Sequence, residues 1–98
     1  MSLRYILKDN QPQLCEDLEE WAIWYGSTSH QIAENRLGDI SVSTAFTGIA
    51  AREVDGLPIL FETLVSPSGR VRRYATYQQA LEGHTQIVED VSKSRLKN

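Results

Sequence analysis

Glu62, His84 and a run of arginines are the residues in this sequence whose types and positions could do chemistry. Glu62 stands in an apolar run between Phe61 and Thr63, with Leu60 and Leu64 two positions away on its own face. A carboxylate so placed is either paired with a base or desolvated, and a desolvated carboxyl suits general-base work. Arg70, Arg72 and Arg73 follow after one turn, so a salt bridge across a hairpin is the simpler expectation. His84 falls on the apolar stripe of a C-terminal helix, where a lone histidine is more often a hydrogen-bonded core residue than a catalytic group. If Glu62, His84 and Arg73 converged in an open pocket, they would form a small-molecule-binding or enzymatic site, and these three are the catalytic candidates. The arginines also suit a phosphate or an acidic partner, or the charged edge of a sheet. Ser43 and Thr44 have no activating base in view.

Other chemistries lack their signatures. The sequence has no glycine-rich phosphate loop, no metal-ligand spacing and no nucleophile elbow, so neither cofactor nor metal is expected. Cys15 is the only cysteine, which excludes an internal disulfide and a zinc-binding Cys pair. It reads as a small buried hydrophobe in a helix.

The elements that must position these residues follow from periodicity. Leu3, Tyr5 and Leu7 alternate with Arg4, Ile6 and Lys8, which predicts a first strand ended by Asp9-Asn10-Gln11-Pro12. Leu14, Leu18, Trp21, Ala22 and Tyr25 fall on one helical face, predicting a helix over about 12–26 that opens on Pro12 and closes at Gly26. Ile23 and Trp24 lie off that stripe, which points to a second packing surface or a partner interface. Residues 30–37 are ambiguous, with a helical turn as one reading. Residues 39–49 alternate Ile40, Val42, Thr44 and Phe46 against Ser41, Ser43, Ala45 and Thr47, the clearest strand. Asp55-Gly56 is a strong turn pair. The apolar run from Ile59 to Val65 reads as a central strand. Ser66-Pro67-Ser68-Gly69 then turns the chain back along residues 70–75. Thr76 and Gln79 form a capping box ahead of a helix over about 77–92, with Tyr77, Ala80, Leu81, His84, Ile87, Val88 and Val91 as its buried stripe. Gly83 inside that helix suggests close packing. Residues 93–98 read as a frayed polar tail.

The fold expected is therefore α+β in the order β-α-β-β-β-α, an antiparallel sheet with two helices packed on one face. With 98 residues the chain is one domain, 1–98. A hydrophobic fraction of 41% and a charged fraction of 23% fit a folded globule. The net charge of −3 disfavours nucleic acid, a reading that would need the arginines to join Lys93, Arg95 and Lys97 on one face. No run approaches the roughly 20 apolar residues of a membrane span, and the first residues lack the apolar core of a secretory signal. With one cysteine, this implies a cytoplasmic setting.

Three stretches carry a resemblance. They are Gly38 to Gly48, Pro58 to Thr63, and Arg73-Tyr74-Ala75-Thr76-Tyr77 with Ala80, Gly83 and His84, all behind a Trp-rich first helix. Together they resemble a family of small proteins of tailed bacteriophages and of bacterial, prophage-type genomes, over nearly the whole chain. The resemblance implies a phage or prophage origin and carries no activity with it. Relatives place an Asp-His pair just after the glycine matching Gly48, where this chain has Ala50 and Ala51, and often Trp in place of Tyr77. The reading reached from sequence is a non-enzymatic accessory protein acting through protein contacts. Its expected partners are a second copy in a homodimer joined through Ile23 and Trp24, or another protein.

Overall fold

The computed structural model describes residues 3–27, 29–50 and 52–96, with the side chains of Arg95 and Leu96 left aside. The chain begins with a hairpin of β1 (Leu3–Lys8) and β2 (Gln11–Leu14). Asp9 and Asn10 form its tip at φ of 51° and 65°, the paired left-handed conformation that a tight two-residue hairpin favours. α1 (Leu18–Ser27) follows, its first turn capped by Asp17, whose Oδ1 accepts from the amides of Glu19 (2.9 Å) and Glu20 (3.1 Å). β3 (Gln31–Leu37) and β4 (Ile40–Phe46) form a second hairpin about Gly38-Asp39. Three short strands come next: β5 (Ile49–Ala50), β6 (Glu53–Val54) and β7 (Leu57–Pro58), the last two paired around Asp55-Gly56. β8 (Phe61–Ser66) and β9 (Arg70–Tyr74) form a third hairpin, and α2 (Tyr77–Leu96) completes the described chain.

These elements make an α+β fold. Its centre is a four-stranded antiparallel sheet in the order β3-β4-β8-β9, and a smaller sheet has the order β2-β1-β5. Along β4 and β8, side chains alternate between a sealed and an open face. Val42, Thr44, Phe46, Phe61, Thr63 and Val65 are buried; Ser41, Ser43, Ala45 and Glu62 are half-buried and Leu64 is exposed. α2 lies over the sealed face and buries Ala80, His84 and Ile87 of the stripe expected from its sequence, together with Gly83, while Tyr77, Leu81, Val88 and Val91 are half-buried. Gln79 and Thr76 exchange the two hydrogen bonds of the capping box at 3.1 and 3.3 Å.

Several expectations are corrected. The element order is not β-α-β-β-β-α. Residues 11–14 pair with β1, so the helix expected from 12 begins only at Leu18, and Pro12 sits on an edge strand where its missing N–H is tolerated. Leu18, placed in the helical core stripe, is 58% exposed. Cys15 is buried as expected, but in the link between β2 and α1. Residues 31–37 form an edge strand, with no helical turn. α2 runs to Leu96, so residues 93–96 continue the helix in place of a frayed tail. The helices divide their work: α2 covers the four-stranded sheet, while α1 leans on β1 and reaches Phe46 through Trp24. No helix among the described residues is long and apolar enough to cross a membrane.

Candidate binding site

The polar residues singled out above lie on opposite faces of the main sheet. On the sealed face, Thr44 and Thr63 are direct cross-strand partners on the two central strands, and their hydroxyls meet at 2.5 Å. Thr44 Oγ1 is also 2.7 Å from His84 Nδ1, and Thr63 Oγ1 is 2.9 Å from the Tyr74 hydroxyl. His84 Nε2 lies 2.7 Å from Asn35 Oδ1 on exposed edge strand β3. With Asn35 Oδ1 as acceptor, His84 Nε2–H donates to it, and the Nδ1 lone pair accepts from Thr44. Thr44 then accepts from Thr63, and Thr63 from Tyr74. Every hydroxyl donates once, toward the histidine, and the row ties α2 to all four strands.

Burial pushes the His84 pKa below its ordinary value of 6.5, because the charged ring would lose hydration that the protein does not replace. The neutral ring is the one that the donor order requires. Gly83 lets Tyr74 reach this network, since a β-carbon at position 83 would overlap the edge of the tyrosine ring at Cε1, Cζ and Oη. With both ring nitrogens engaged and the ring sealed beneath α2, His84 has the surroundings of a core histidine.

Glu62 and Arg73 face the other way. They are cross-strand partners on β8 and β9, with Arg73 Nε 3.5 Å from Glu62 Oε2. The hairpin ion pair expected from sequence is therefore formed, with Arg73 as the base. Both line an open pocket of about 400 Å³ with Thr47, Ile49, Arg52, Ile59 and Phe61. Glu62 and His84 do not converge: they lie on opposite faces of the sheet, and His84 does not line this pocket. Arg52 is the residue that sequence reasoning missed. It lies in an irregular connection where no periodicity signals a direction.

The arginine cluster is divided in the same way. Arg70 pairs with Asp90 on α2 at 3.5 Å, and Arg72 donates to Gln86 at 2.8 Å while lying over the Tyr74 ring. Only Arg73 faces the open side. A single basic face joining all three to Lys93 is not formed; the Arg95 side chain and Lys97 lie outside the described residues. Among the described residues, no group of three or more His, Cys, Asp or Glu is gathered as a metal site would need.

The proposed interface on α1 is split as well. Ile23 is 65% exposed, but Trp24 is half-buried against its own chain, stacked on His30 at 5.4 Å and edge-on to Phe46 at 5.7 Å. His30, just ahead of β3, stacks on the indole and covers part of Trp24. Ala50 forms part of β5 opposite Leu3; Ala51 lies outside the described residues. No family model, curated protein or solved structure matches the chain.

Proposed function

We propose that this chain is a non-enzymatic binding module, an accessory protein of the phage or prophage type, that engages a protein partner through the open face of its main sheet. One observation carries the reading. Leu64 and Val71 are cross-strand partners, 42% and 39% exposed, and no described element packs over them. The Glu62–Arg73 pair lies beside them on the same two strands, and the small side chains Ser41, Ser43 and Ala45 adjoin on β4. An apolar centre with a polar rim is how protein interfaces are built, and the ion pair supplies charges that an acidic or basic partner can complement.

The enzymatic alternative has less support, because its proposed acid-base pair is separated by the thickness of the sheet. Affinity capture from phage-infected or prophage-bearing bacteria tests the binding reading. The wild-type chain should retain a protein that the variant Leu64→Lys/Val71→Thr loses, with both chains shown to be equally folded by circular dichroism. Equal retention by both would refute it. Light scattering over a wide concentration range identifies the case in which the partner is a second copy.

A further inference from the structure

We propose that the pocket bounded by Arg52, Arg73 and Glu62 is a carboxylate site, taking an acidic group carried on a short aliphatic body from the partner protein. This rests on the reading that the open face binds protein, and it names the chemistry that this end of the face selects.

Charge is the first argument. The pocket contains two guanidinium groups and one carboxylate. Arg73 Nε lies 3.5 Å from Glu62 Oε2. That is long for a charge-assisted hydrogen bond, which closes to about 2.7–2.9 Å. Arg52 has no ion-pair partner among the described residues, while its carbonyl accepts from the Ile59 amide at 3.0 Å and fixes its backbone. Each guanidinium presents a planar fork that matches a carboxylate with two parallel hydrogen bonds. The site thus holds more donors than its own carboxylate uses.

Shape and selectivity follow. About 400 Å³ is the size of a small-ligand pocket. Ile49 and Ile59 supply an apolar wall that a bare anion would leave unused. Glu62 also disfavours a doubly charged phosphate, since it sets a negative charge in the same small volume. A singly charged carboxylate can share Arg73 or take the place of Glu62 beside it. Glu62 is then a built-in competitor, and that role gives its removal the opposite effect to removal of either arginine.

Nuclear magnetic resonance on the isotope-labelled whole chain tests this with four probes. These are N-acetyl-leucine, its uncharged amide, N-acetyl-glutamyl-leucine amide and inorganic phosphate. At least one carboxylate probe should shift the Ile49 and Ile59 methyl signals and the Nε signals of Arg52 and Arg73 saturably. Which one does so tells a C-terminal carboxylate from an acidic side chain. Arg52→Gln should weaken that binding by about tenfold or more, the usual effect of losing a hydrogen bond to a charged group. Glu62→Gln should strengthen it several-fold. The inference is overturned if neither carboxylate binds, if the neutral amide or phosphate binds as well, or if Glu62→Gln weakens binding. The Leu64→Lys/Val71→Thr capture assay fails or succeeds independently of these titrations, so the two readings can fall separately.

Discussion

Replacing Gly83 with alanine should destabilise the protein, although alanine is the better helix former by about 1 kcal/mol. The added β-carbon would sit 2.5 Å from both Cζ and Oη of Tyr74, well inside the roughly 3.5 Å at which carbon atoms make favourable contact. The tyrosine must retreat by about 1 Å, yet it is buried and its hydroxyl is bound to Thr63. Overpacking costs about 1–3 kcal/mol. A buried hydroxyl pulled from its partner costs about 1–3 kcal/mol more. After the helical gain is subtracted, the expected net loss is about 1–5 kcal/mol. Urea unfolding reads it as a lower midpoint at unchanged slope. In a Tyr74→Leu background the overlap is relieved, and Gly83→Ala should become neutral or stabilising by up to about 1 kcal/mol. A neutral or stabilising effect in the wild-type background would refute the claim that Gly83 exists to admit Tyr74.

Two further predictions concern the sealed network. The folded-state pKa of His84 lies below its unfolded value of 6.5, so its contribution to stability is complete above that value and lost as pH falls from it through the folded pKa. Unfolding midpoints should therefore drop between about pH 7.5 and pH 5.5, and the His84 ring should titrate below 6.5 by nuclear magnetic resonance; a ring titrating at or above that value contradicts the donor order proposed for it. Thr63→Val keeps the side-chain shape but leaves the Tyr74 hydroxyl without an acceptor and Thr44 without a donor, for an expected loss of about 2–4 kcal/mol in urea unfolding. A loss below about 0.5 kcal/mol would show that the network does not hold the strands together.

The sequence was legible where periodicity and turn chemistry agreed. Alternation in residues 40–46, Asp55-Gly56, the Thr76–Gln79 box and the α2 stripe all led to the observed elements. The start of α1 was misread because Leu14 and Leu18 are helically spaced by coincidence, while Asp9-Asn10 is itself a hairpin turn. Asp17, with Glu20 three residues on, marks the true helix start. The strand at 31–37 was obscured because an edge strand carries polar residues on both faces, and Glu34, Asn35 and Arg36 break its alternation. Hairpin register made the Glu62–Arg73 pair accessible to reasoning from sequence. The partners of His84 were not, since they depend on how α2 crosses strands 40 and 49 residues away.

The proposed function places binding on the open sheet face, away from both α1 and the histidine network. Side-by-side capture with the wild-type chain, Ile23→Asp and Leu64→Lys/Val71→Thr tests that placement. The prediction is that the partner retained by the wild type is retained equally by Ile23→Asp and lost by Leu64→Lys/Val71→Thr. Loss with Ile23→Asp and retention with the sheet variant would contradict it and return the interface to α1.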